Sequence, residues 1–199
     1  MPRGSLDRGG QTLPQHADQQ PAKQSITVSR SFGKLVSEKK DLAEAVASYT
    51  ISAARKLRRG KQTASIMTVF IATSRYGDHE QYQNSIPFTF PIATSYTPDF
   101  LEAASICLNH LFKKGYFYKK AGVMLTDLAD RDQVQLHLFT EVPDTMKRAH
   151  LMKTIDEIGG RFGSHVLTYA SAGHKQSWKA KRLLQSPRFT TSWHELLTV

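Results

Sequence analysis

Five residues carry the most pointed chemistry in this sequence of 199 residues, and that chemistry is recognition, not catalysis. They are Gln135-Leu136-His137-Leu138-Phe139, bounded by Ala129-Asp130-Arg131-Asp132 on one side and Pro143-Asp144 on the other. A surface strand alternates apolar and polar positions, and the adjacent Leu138 and Phe139 break that alternation. The run suits an extended peptide that inserts Leu136, Leu138 and Phe139 into a partner's pocket. The Gln135 amide, which both donates and accepts, would serve the rim. The competing reading is a tether packed on its own domain.

A second group of residues could hold phosphates. Arg30 lies between Ser29 and Ser31, whose small side chains let a phosphate backbone approach the amides. Arg75 follows an apolar run, and Lys119 and Lys120 stand together further on. Contacts of this kind position a protein on nucleic acid without reading sequence; the alternative is a set of solvated edge charges. A net charge of +10 and a pI near 9.8 make a polyanion the expected partner. Nucleic acid is favoured over membrane. No basic amphipathic helix with a Trp/Phe/Leu face is visible, and no apolar run approaches the roughly 18–20 residues of a span.

The residues that would support catalysis are missing. No Asp-x-Asp pair falls inside an expected strand and no Asp-Glu sits on a hairpin, so nothing is placed to hold two Mg²⁺ ions. Asp156-Glu157 reads as the solvated face of a helix. His165 and His174 have no Cys or acidic residue at ligand spacing, and no glycine-rich phosphate loop precedes a helix. No catalytic residue, metal or cofactor is expected. The single cysteine, Cys107, excludes an intrachain disulfide and fits a small core residue in a reducing, cytoplasmic setting.

These residues need elements to position them. Residues 1–24, rich in Gln, Gly, Pro and Asp, read as a disordered leader. Ile26 to Phe32 is a strand ended by Gly33. Leu42, Val46, Tyr49, Ala53 and Leu57 form a helical stripe, and Gly60 stands where a left-handed cap would end that helix. Thr63–Thr73 is nearly continuous in apolar and β-branched residues, as a central strand should be. Ser85–Thr94 reads as a further strand, although Pro87 and Pro91 favour an edge position or a broken one. A second helix takes Thr97 as N-cap, Pro98 at its first position and Asp99 in its first turn, and buries Leu101, Ala104, Leu108 and Leu111. Tyr116–Leu128 closes the set as a strand.

The order over residues 25–128 is β-α-β-β-α-β, an α+β fold. Two helices cover one face of a four-stranded antiparallel sheet and leave the other face bare. Residues 129–143 are then a linker carrying the pentapeptide. Residues 144–199 form a small α+β or irregular unit. Its helix is capped by Asp144, buries Ala149, Leu151, Ile155 and Ile158, and stops at Gly159-Gly160. A short strand is expected at Val166–Tyr169, followed by a basic run of Lys175, Lys179, Lys181 and Arg182.

Ser29-Arg30-Ser31-Phe32-Gly33, the β-α-β-β-α-β order, Tyr118-Lys119-Lys120-Ala121-Gly122-Val123-Met124-Leu125, the pentapeptide, and the closing Ser186-Pro187-Arg188-Phe189-Thr190-Thr191-Ser192-Trp193 stand in one order. Together they resemble the C-terminal part of the UmuC-type subunits of DNA polymerase V, which are Y-family translesion polymerases active in SOS-type damage tolerance. The likeness runs from about Ala22 to Trp193. It implies that residues 25–128 are a little-finger domain gripping the primer-template duplex without sequence preference, through Ser29, Arg30, Ser31, Arg75, Lys119 and Lys120. It implies that Gln135, Leu136, Leu138 and Phe139 dock on a sliding clamp. It allows a UmuD-type partner subunit and recombinase filaments as further partners, and leaves the last unit as an accessory domain. The palm, fingers and thumb of such polymerases have no counterpart in the sequence, so polymerase activity is not expected of it. The alternatives are a free-standing nucleic-acid adaptor and a regulatory module acting through protein partners.

Overall fold

β-branched and aromatic residues with period two, interrupted by two helical stripes, give the elements of a computed structural model. It describes residues 24–76, 79–131, 145–163, 166–174 and 176–180. The elements are β1 (Ser25–Val36), α1 (Lys39–Arg59), β2 (Gln62–Thr73), β3 (Gln83–Thr94), α2 (Thr97–Leu111), β4 (Tyr118–Asp130) and α3 (Thr145–Phe162), followed by a 3₁₀ turn at Ala170–Ala172. The leader, the pentapeptide, Asp144, Lys175, Lys181, Arg182 and the closing Ser186–Trp193 stretch lie outside the described residues.

The four strands form one antiparallel sheet in the order β1-β4-β2-β3. The expected α+β architecture is therefore present. β2 is central and β3 is an edge, the place its two prolines require. Alternate residues of each strand face the helices: Ile26, Val28 and Phe32 from β1, Met67, Val69 and Ile71 from β2, and Ala121, Val123 and Leu125 from β4. All are buried in one core with Leu42, Val46, Tyr49, Ala53 and Leu57 of α1.

Several boundaries differ from expectation, each for a local reason. β1 does not end at Gly33 but runs on to Val36, with its pairing to β4 shifted between Ser31 and Val36. The Gly33 amide leaves the ladder to donate to the Trp178 carbonyl at 3.1 Å. Gly60 has φ −80°, and the left-handed position after α1 is taken instead by Lys61 at φ 54°. β4 starts later and extends to Asp130, pairing there with Gln62.

Thr97 does not cap α2. It is the first helical residue, and Tyr96 precedes it without a side-chain cap. The Thr97 hydroxyl accepts a hydrogen bond from Arg58 Nη1 at 2.7 Å. The buried face of α2 is rotated relative to the expected one. Phe100, Ala103 and Cys107 join Ala104, Leu108 and Leu111 inside, and Leu101 is half-buried. Cys107 is the small core residue it was read to be.

α3 passes through Gly159-Gly160 to Phe162. A Cβ at Gly159 would lie 3.5 Å from Arg55 Nη2, an ordinary contact distance, so nothing at this position demands glycine. Met152 is the buried residue of α3, whereas Leu151 is exposed and Ala149, Ile155 and Ile158 are half-buried. Val166–Tyr169 is not a strand. The chain bends there, and the Tyr169 hydroxyl folds back to Met152 Sδ at 3.8 Å.

α3 and the segment after it pack on the first six elements. Arg58 grips Asp156 with both nitrogens, Nε to Oδ2 at 2.6 Å and Nη2 to Oδ1 at 2.9 Å. Arg148 pairs with Asp99 at 3.1 Å and stacks over the Tyr96 ring at 4.6 Å. Trp178 is 2% exposed and meets Phe32 and Tyr49 edge-on, at centroid distances of 6.1 and 5.7 Å.

Candidate nucleic-acid interface

Strand pairing fixes what the bare face of the sheet carries, since side chains alternate between faces and paired residues share one. One row across it reads Ser29, Gly122, Phe70, Ser85. The next reads Ser31, Lys120, Ala72, Gln83. On the other side come Thr27, Met124, Thr68, Pro87, and then Ser25, Thr126, Ile66, Thr89. Small residues and hydroxyls dominate these rows, and Lys120 is their one charge. Such a face is low, lined with hydrogen-bonding groups and open to a bulky polyanion.

Of the residues singled out from sequence, Ser29, Ser31 and Lys120 are brought together here. Lys120 is exposed, with Nζ 6.0 Å from the centre of the Phe70 ring. Arg30 is not among them. It pairs with Ala121, which is buried on the helix side, so its side chain belongs to the other face of the sheet. There its positive charge acts on the Tyr49 hydroxyl. Burial pushes the Tyr49 pKa up to about 12, with Arg30 opposing the rise.

Lys119 is also turned away. β4 pairs Lys120 with Ala72 but Tyr118 with Thr73, so Lys119 is an extra, bulged residue. Its ammonium donates to the Phe32 carbonyl at 2.8 Å. Arg75 stands beyond the end of β2, exposed, at the same end of the sheet as Lys120. Gln135, Leu136, Leu138 and Phe139 lie outside the described residues.

Two residues that sequence reading passed over shape the bare face. A Cβ on Gly122 would run into the Phe70 ring and the Ser29 side chain, so glycine is what allows Phe70 to lie flat across β4. A Gly opposite an aromatic in neighbouring strands was a possible signal, but only once the register was known. Among the described residues no three His, Cys, Asp or Glu side chains group to hold a metal ion. Nor is any described helix long and apolar enough to cross a membrane. Burial raises the Cys107 thiol pKa, which suits packing and not nucleophilic attack.

Comparison with known proteins adds the following. The impB/mucB/samB family C-terminal domain matches residues 23–138, and a domain of unknown function (DUF4113) matches residues 149–199. Protein UmuC of Salmonella typhimurium is 38% identical over 180 residues, covering 90% of this chain and 43% of UmuC. Protein ImpB of Salmonella typhimurium is 37% identical over 177 residues, 88% of this chain and 42% of ImpB. The chain thus spans less than half the length of these relatives. A solved little-finger domain of polymerase IV, in complex with a beta-clamp processivity factor, superimposes with a TM-score of 0.41 at 13% identity. It covers 58% of this chain and 99% of that domain.

Proposed function

Since this chain belongs to the impB/mucB/samB family, as the C-terminal part of a UmuC-like Y-family polymerase, we propose that it grips duplex DNA and docks on a sliding clamp. In this reading residues 25–128 are the DNA-gripping domain. Residues 129–143 link it to the accessory unit of 144–199 and carry the clamp peptide, and catalysis belongs to other parts of such polymerases. The observation that carries the DNA half is the bare sheet face. Four strands present Ser25, Thr27, Ser29, Ser31, Thr68, Ser85 and Thr89 with Lys120 at one end, on a chain of net charge +10. Hydroxyls donate hydrogen bonds to phosphate oxygens without choosing among bases. The clamp half rests on the pentapeptide's composition: three apolar anchors and a rim amide within five residues.

In this reading the DNA contacts are Ser29, Ser31 and Lys120 on the bare face and Arg75 beyond its end. Arg30 and Lys119 become secondary, since one belongs to the helix side and the other is engaged with the Phe32 carbonyl. Duplex binding to the full chain, followed across a salt series, tests this. Each phosphate contact contributes about −0.9 to the log–log slope, so Lys120→Ala should flatten it by about one unit, and so should Arg75→Ala. Arg30→Ala should change it less. A slope that survives loss of both Lys120 and Arg75 places duplex binding elsewhere.

A further inference from the structure

Past Lys120 the sheet ends in a cluster of a different character. The loop joining β2 to β3 and the loop joining α2 to β4 meet there. Tyr82 holds them together: its hydroxyl donates to the Leu111 carbonyl at 3.0 Å, and its ring meets Tyr116 at 5.1 Å. Lys113 Nζ lies 4.7 Å over that same ring. His79 and Phe117 form a second contact across the loops, with ring centroids 4.8 Å apart.

These inner contacts leave aromatic surface outside. Tyr76 is 89% exposed and Phe117 is 40% exposed. The Tyr76 backbone is nonetheless fixed, its carbonyl accepting from the Ser74 hydroxyl at 2.7 Å. The neighbouring Arg75 carbonyl accepts from Gln81 Nε2 at 3.2 Å. The same two loops carry the exposed cations Arg75, Lys113 and Lys114, against Glu80 as the exposed acid of the described loop residues.

We propose that this end of the sheet, with Tyr76 and Phe117 as stacking platforms and Arg75, Lys113 and Lys114 as phosphate contacts, binds single-stranded DNA. Packing alone does not account for it, since a ring 89% exposed contributes little burial. A protein partner's apolar surface would not need the surrounding positive charge. Aromatic faces among cations match what an unpaired strand offers, namely bases to stack and phosphates to neutralise. Lys120 and Arg75 lie at the boundary, so a strand leaving the duplex on the bare face would pass directly onto Tyr76. This deepens the duplex-gripping reading, but the site would hold an isolated single strand even if that reading failed.

The test separates the two with different probes on the full chain. Binding of a thymidine oligomer about 12 nucleotides long is compared with binding of a blunt duplex. Tyr76→Ala should weaken oligomer binding by at least about fivefold, and Phe117→Ala similarly, because each removes one stacking ring. Tyr76→Phe should restore it, and all three should bind the blunt duplex as wild type. Lys120→Ala should weaken the duplex more than the oligomer. Because Tyr76 is so exposed, its loss leaves the fold intact, and an unchanged unfolding midpoint verifies that. Oligomer affinity unchanged in the Tyr76→Ala, Phe117→Ala double variant overturns the proposal. So does an equal loss for oligomer and duplex, or capture of a protein partner that oligothymidine fails to displace.

Discussion

Replacing Trp178 by Ala tests whether the last described segment is part of the core or merely rests on it. Truncating a buried Trp costs about 3–5 kcal/mol. Edge contacts with both Phe32 and Tyr49 argue for the upper half of that range. Against this, Trp178 Nε1 is buried with no hydrogen-bond partner among the described residues, and its removal relieves a penalty of about 1–3 kcal/mol. The net expected loss is about 1–4 kcal/mol. With a urea m-value of about 2 kcal/mol/M, the midpoint should fall by roughly 0.5–2 M. Urea unfolding followed by far-ultraviolet circular dichroism measures it. Hydrogen exchange at the Gly33 amide, which donates to the Trp178 carbonyl, reports the same loss locally. Trp178→Phe keeps a ring in the slot and deletes the unpaired N–H, so it should recover most of the midpoint. An unchanged midpoint in Trp178→Ala, or a Gly33 amide that exchanges at the wild-type rate, refutes the reasoning.

Other outcomes follow from the same geometry. Tyr49 keeps its proton to about pH 12 in the folded chain, against about 10 when unfolded. Its contribution to stability is therefore complete below pH 10 and lost between about 10 and 12; absorbance titration at high pH should show Tyr49 late, alongside Tyr118 and Tyr169, which burial also raises, with the Tyr49 step earlier in Trp178→Ala. Gly122→Ala pushes a methyl into Phe70 and Ser29. It should cost about 1–3 kcal/mol in chemical unfolding and weaken duplex binding. Changing Leu138 and Phe139 together to Ala should abolish binding to a sliding clamp at micromolar concentration, since burying the two is worth roughly 3–6 kcal/mol. It should leave the unfolding midpoint and DNA affinity alone; a collapse of the midpoint would mean the pair packs internally. Primer extension with nucleotides and Mg²⁺ should be undetectable for the pure chain, and template-dependent incorporation would contradict the proposed division of labour.

The element order was legible because each helix wears an apolar stripe and each strand a two-residue period. Pro87 and Pro91 leave an edge strand or a broken one open, and β3 is an unbroken edge. Faces were less legible. Arg30 between two serines reads as a phosphate contact, but which side of a sheet it joins depends on the neighbour it pairs with. Lys119 and Lys120 look equivalent in sequence, and only the bulge at Lys119 separates them. In α2, Ala104, Leu108 and Leu111 are buried as the stripe predicts, but Phe100 takes the place expected of Leu101, because both are apolar and only the packed partner chooses between them. Gly60 drew the left-handed turn to itself by residue type, yet Lys61 adopts it, with its amide donating to the Arg58 carbonyl at 2.9 Å. The reach of Trp178 back to β1 joins residues far apart in sequence, and no local pattern announces it.

That reach has a consequence for the chain's synthesis. Ribosomes deliver residues in order, so Phe32 and Tyr49 emerge long before the indole that covers them. During the interval the sheet and both helices can assemble while a wet aromatic slot stays open beside β1. A nascent chain in that state presents the kind of surface that chaperones hold and that neighbouring nascent chains can adhere to. Arrival of Trp178, its carbonyl held by the amide of Gly33, closes it.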